Sequence, residues 1–215
     1  SYDTIDATQN LDSYAMVSGI VKSCAVNLSK MCNDLRLMSS GPRTGFCEIN
    51  LPAKQNGSSI MPGKINPVIP EVVNQVAFNI IGNDVTITMA AEAGQLELNA
   101  FEPIIFYNLF ESIQTLSNAV QTLVDNCIVG ITANEEHCRE MVESSIGIIT
   151  AICPYVGYET AANIAKEALR TNQSVRELIL QKKLLSEEQL KTILDPYTMT
   201  KPGIQGRNPA DLLSD

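Results

Sequence analysis

VSGIVKSCAVNLSKMCNDLRLM, residues 17–38, decides the fold class. Val17, Val21, Cys24, Leu28, Met31, Leu35 and Met38 recur at alternating four- and three-residue steps, the heptad seam of a long helix. The pattern reaches back to about Gln9 and forward to Ser40. Gly41-Pro42 then stops it, because glycine terminates helices well and proline cannot continue one. A second long helix is expected from Ile69 or Pro70, where proline is tolerated in the first turn, to about Ala93. Val73, Val76, Ile80 and Ile87 form its apolar side, but Asn74, Gln75, Asn79, Asn83, Asp84, Thr86 and Thr88 make it unusually polar. A third is expected from Ala100 to Val129, with Leu109, Ile113, Leu116, Val120, Leu123 and Cys127 at heptad steps and Gly130 as its stop. Arg43 to Pro52 reads as an irregular or hairpin-like connector. The expected fold is all-α, a long-helix bundle.

Beyond Ile131 the segments shorten. Thr132-x-x-Glu135, Ser174-x-x-Glu177 and Ser186-x-x-Gln189 fit the capping box, in which side chain and backbone bond reciprocally at a helix start. Helices are expected near Glu135–Glu143, Tyr158–Thr171, Val175–Lys182 and Glu187–Leu194, with Pro154, Gly157, Pro196 and Pro202 as breaks. The expected division is 1–130, a helical-bundle segment carrying a mobile loop at 53–67, and 131–215, a small helical C-terminal domain. Three rods of about 40 Å would leave apolar surface wet in a lone bundle. Other copies of the chain, or sequence upstream, are expected to cover it. Because the chain opens without Met and almost directly on a long helix, it reads as the C-terminal portion of a larger subunit.

The net charge of −9, with no Lys/Arg stripe, argues against nucleic acid and anionic membranes. No apolar run approaches the roughly 20 residues a membrane span needs. Cys24, Cys32, Cys47, Cys127, Cys138 and Cys153 form no CxxC pair. They read as reduced, small core residues of a cytoplasmic protein. The single histidine, His137, has no ligand-spaced partner beyond adjacent Cys138, so no metal site is expected. His137 is expected to be exposed and unrelated to any catalysis.

Between the first two helices lies GSSIMPGKINP, residues 57–67. Gly57 and Gly63 can take backbone angles closed to other residues, while Pro62 and Pro67 fix theirs. Such a loop suits a lid that moves as one piece. It gathers two hydroxyls, an ammonium and an amide, the parts needed to hold a carboxylate and remove a proton beside it. Taken singly, each has an ordinary reading as a solvated loop or turn residue.

This loop resembles the signature of the fumarase/aspartase superfamily, whose members eliminate ammonia or another leaving group to release fumarate. The likeness extends to CNDLRLMSSGPRTG before it and PEVVNQVAFNIIGND after it, then AAEAGQLELNAFEP, GITANEEH and DPYTMTKPGI. EAGQLELN and MTKPGI look most like the aspartase branch. The resemblance implies a helical homotetramer with each active site built from three subunits, no organic cofactor, and a small dicarboxylate or amino-acid substrate. It implies the reaction L-aspartate to fumarate plus ammonia. Ser58 matches the base that takes the proton next to the carboxylate. Lys64 and Asn66 match residues that bind substrate carboxylate, and Ser59 would donate to the same ligand or shape the loop. Gly57 and Gly63 would be the loop hinges. Glu71 matches a glutamate that in fumarases supports an active-site histidine of a neighbouring chain, although a carboxylate in a helix's first turn is favoured anyway. Glu92, Gln95, Glu97 and Asn99 match no family role and are expected to hold a turn or a subunit contact. Two rival readings stay open: elimination of water from malate, and a non-catalytic helical oligomerisation module.

Overall fold

The computed structural model describes residues 2–57, 60, 61 and 63–204. The chain divides into two compact units, Ser1–Asn134 and Glu135–Asp215.

In the first unit a short helix α1 (Thr4–Gln9) precedes α2 (Asp12–Met38). Asp3 caps α1 by accepting from the N–H groups of Ile5 and Asp6. A two-residue strand β1 (Ile49–Asn50) follows, then α3 (Val68–Glu92), α4 (Glu102–Asn126), one 3-10 turn (Ile128–Gly130) and β2 (Thr132–Ala133). Helix α3 is the middle rod and packs along its length on both α2 and α4. The start of α2 meets the end of α3 and the start of α4 through Leu11, Ile87, Ala90, Ile105 and Leu109. The end of α2 meets the start of α3 and the end of α4 through Cys32, Leu35, Val73, Ala119 and Leu123. The rods therefore run up, down and up.

The buried face of α2 keeps Leu35 of the expected seam, with Val21, Leu28 and Met38 packed against the core, but is rotated toward smaller residues. Ser18, Ala25, Ser29 and Cys32 face inward, whereas Val17 is 43% and Met31 38% exposed and Cys24 is also exposed. Small residues let α2 approach α3 closely, and two serines there meet polar partners. Ser18 Oγ donates to Asp84 Oδ1 at 2.7 Å, and Lys22 Nζ bonds Asp84 Oδ2 at 2.5 Å. Asn74 Nδ2 donates to Ser29 Oγ at 2.8 Å. The polar residues of the second helix are thus partly interhelical couplings. On α4, the expected seam residues Ile113 and Val120 face outward, and Asn108 and Ser112 take buried places.

Asn99 joins two helices. Its Nδ2 donates to the carbonyls of Ala90 and Ala91, and its Oδ1 accepts from Phe101 N–H. It thereby satisfies groups left open by the end of α3 and the start of α4. Glu92, Gln95 and Glu97 beside it are exposed.

The connector is no local hairpin. Strand β1 pairs antiparallel with β2, Ile49 opposite Ala133 and Asn50 opposite Thr132. That pairing also removes the first expected capping box, because Thr132 lies in a strand and its Oγ1 accepts from Asn50 Nδ2.

The second unit contains α5 (Glu135–Ser144), a 3-10 turn (Ile146–Ile148), α6 (Ile149–Val156), α7 (Tyr158–Thr171), α8 (Val175–Gln181), α9 (Glu187–Ile193) and α10 (Pro196–Met199). Both the Ser174/Glu177 and Ser186/Gln189 capping boxes form. Pro154 is no break: it sits inside α6, whose Ile152 is fully buried. Burial of Ile152 with Ile164, Leu178, Ile179 and Leu190 offsets the backbone bond that the proline cannot make.

All six cysteines are free. Only Cys32 and Cys127 are buried, so the expectation that all serve as core residues holds for those two. Burial, with the nearby Cys127 thiol adding and Arg36 opposing, raises Cys32 to about 11, and burial likewise raises Cys127. Both therefore stay protonated near neutral pH.

Candidate active site

The loop begins where the connector leaves β1 and ends where α3 starts. Pro67 occupies the cap position of α3 and Pro70 its first turn, where a missing N–H costs nothing. The two arms meet across an isolated bridge between Asn56 and Ile65. Gly57 N–H donates to the Lys64 carbonyl at 2.7 Å, and Asn66 Nδ2 donates to the Gly57 carbonyl at 3.3 Å. These bonds pinch the loop at its base and bring Gly57, Lys64 and Asn66 together.

The two glycines serve different needs. Gly63 has φ +81° with open space around its α-carbon, the left-handed region that glycine enters freely. Gly57 is required by close approach: an added Cβ would lie 2.8 Å from Lys64 O and 2.9 Å from Asn66 Oδ1. Gly57→Ala is therefore expected to open the base of the loop, at a cost of about 1–3 kcal/mol. Amide exchange should rise at positions 56, 57 and 64–66 while the helices keep their protection.

Lys64 is exposed and its ammonium forms no ion pair among the described residues. Asn66 is half-buried and retains a second N–H beyond the one given to Gly57. Glu71, in the first turn of α3, lies 3.7 Å from Arg36 of α2. The guanidinium lies 35 positions earlier in the chain, and no spacing rule connects it to Glu71. Ser58 and Ser59 lie outside the described residues. His137 is exposed on α5. Among the described residues no group of three His, Cys, Asp or Glu side chains lies close enough to hold a metal ion, and no helix is long and apolar enough to cross a membrane.

Residues 1–82 match the "Lyase" family model and residues 148–201 the "Fumarase C C-terminus" model. Aspartate ammonia-lyase of a Bacillus species is 61% identical over 203 residues, 94% of this chain and 43% of that protein. Aspartate ammonia-lyase of Helicobacter pylori is 58% identical over 198 residues, 92% of this chain and 42% of that protein. Among solved structures, class II fumarase of Schistosoma mansoni superposes with a TM-score of 0.84 at 35% identity, covering 92% of this chain and 41% of its own. A fumarate lyase:delta crystallin structure from Brucella melitensis gives 0.82 at 53% identity, covering 90% and 44%. The chain thus spans less than half the length of these relatives. With two family models matched, close identity along nearly all its residues and a shared helical fold, the chain belongs to the fumarase/aspartase superfamily of lyases.

Proposed function

We propose that this chain is part of an aspartate ammonia-lyase subunit, in which the 53–67 loop supplies one wall of a site completed by other chains. The observation that carries the reading is the pinched loop base, which brings Lys64 and Asn66 against Gly57, the residue that precedes Ser58 in the sequence. In this reading Ser58 removes the proton on the carbon next to one carboxylate of L-aspartate. Negative charge flows into that carboxylate as an enediolate, held by the Lys64 ammonium and the free N–H of Asn66, with Ser59 donating alongside. Collapse of the enediolate forms the double bond of fumarate and expels ammonia. Glu71, with Arg36 beside it, supports the site from the start of α3. No step calls for an organic cofactor.

Assembly into a homotetramer is part of the proposal. The rods leave Phe78 60%, Val85 59%, Met89 60%, Tyr107 63% and Phe110 65% exposed, more apolar surface than a monomer usually leaves wet. Other copies of the chain would cover it. Elimination from malate remains the second reading, because the fold is shared with a fumarase; the higher identity to aspartate ammonia-lyases favours ammonia.

The test is a subunit of the relatives' full length, mixed with L-aspartate and separately with malate. Growth of fumarate's ultraviolet absorbance from aspartate alone is expected. Turnover of malate with none of aspartate would replace the proposal by the fumarase reading.

A further inference from the structure

Both arms of the loop are tied to one place, the C-terminal end of α4. On the entering arm, Asn134 grips the connector three times. Its Nδ2 donates to Cys47 O at 2.7 Å, its backbone N–H donates to Glu48 O at 2.9 Å, and its Oδ1 accepts from Asn50 Nδ2 at 2.8 Å. Cys47 sits at φ +49°, a conformation that a residue with a side chain keeps only when its surroundings insist on it. Two residues beyond β1, Pro52 lies so close on Gly130 that a Cβ there would be 2.4 Å from Pro52 Cγ. On the leaving arm, Pro67 and Val68 share a small cavity with Leu51, Pro52, Asn126 and Cys127.

We propose that Asn134 is a positioning residue for the substrate-binding arms. It holds the connector so that Gly57 arrives opposite Lys64 and Asn66. The inference rests on the reading above, that Lys64 and Asn66 bind the substrate's carboxylate. Without the clasp the connector can relax away from its left-handed turn at Cys47, and the pinch at Gly57 forms only part of the time. Substrate then binds a smaller competent fraction, so its apparent affinity falls by that fraction, whereas the complex once formed reacts as before. A defect of folding alone acts otherwise: it lowers the amount of active enzyme and leaves KM unchanged.

The experiment uses Asn134→Ala and, as an independent disturbance of the same anchor, Gly130→Ala, in the full-length subunit. For Asn134→Ala, KM for aspartate is expected to rise about tenfold, equal to about 1.4 kcal/mol, the scale of one or two lost hydrogen bonds. kcat should stay within about twofold, as a population shift requires. Amide exchange should quicken at 53–57 and 63–66 and remain unchanged in α2, α3 and α4. Gly130→Ala should move KM and exchange in the same direction. A fall in kcat with KM unchanged, or arms whose exchange matches the parent, overturns the positioning role. The exchange measurement needs no substrate, so it is separate from the functional reading, which fails instead if the folded parent releases no fumarate from aspartate.

Discussion

Replacing Ser58 with alanine in a full-length subunit is expected to lower fumarate production from aspartate by about 10²–10⁴-fold, the range for loss of a proton-transferring group, and to leave the state of assembly unchanged. A serine hydroxyl is far too weak an acid to ionise near neutral pH in water. To act as a base it needs a dry, positively biased setting. The chain supplies two parts of that setting. Lys64 places an ammonium on the arm paired with Gly57, and the Gly57 N–H bond to Lys64 O holds both arms together one position before Ser58 in the sequence. In the proposed reaction the proton transfer belongs to the chemical step, so kcat and kcat/KM should fall together. Sedimentation should report the same state of assembly as the parent, since the described loop residues contribute none of the buried core. A scaffold reading predicts neither loss. Turnover within about tenfold of the parent, below the range for a general base, would remove Ser58 from the mechanism and favour that rival.

The second large effect is on stability. Lys22→Met is expected to destabilise the first unit by about 3 kcal/mol, at the low end for breaking a buried ion pair from one side. Asp84 has a side chain only 6% exposed, on the face of α3 packed against α2. In the parent, Ser18 and Lys22 occupy its two oxygens. Removing the ammonium leaves a buried carboxylate with the Ser18 hydroxyl as its remaining side-chain donor among the described residues. Lys22 is itself 41% exposed, so the reciprocal loss is smaller: an abandoned lysine can turn to water. Adding Asp84→Asn to Lys22→Met should therefore recover much of the stability, because the amide is neutral and can still meet Ser18. Urea denaturation checks this, with a midpoint shift of about 1–2 M for Lys22→Met at an ordinary slope of roughly 2 kcal/mol per molar. A double variant no more stable than the single one would show that the cost lies in packing rather than in stranded charge.

Helix identity was legible along the chain because apolar periodicity and punctuation are local. Gly41-Pro42, Pro70, the Ser174 and Ser186 boxes and Gly157 each act within a few residues. The start and end of α7 follow from such signals alone. The meeting of Gly57, Lys64 and Asn66 was equally local, since they lie within ten positions of one another.

Other features depended on residues far apart in sequence. The face α2 buries could not be chosen from hydrophobicity, because close approach to α3 favours Ser18, Ala25 and Ser29 over the larger Val17 and Met31. Whether Asp84 was a solvated charge or a buried coupling depended on Lys22, 62 residues away. The connector's partner was β2, since a strand's hydrogen-bonding groups accept any backbone that the fold brings alongside. For the same reason the two loop glycines could not be told apart beforehand. Gly63 answers to its own backbone angle, but Gly57 answers to Lys64 and Asn66 pressed against it, and only the folded chain brings them there.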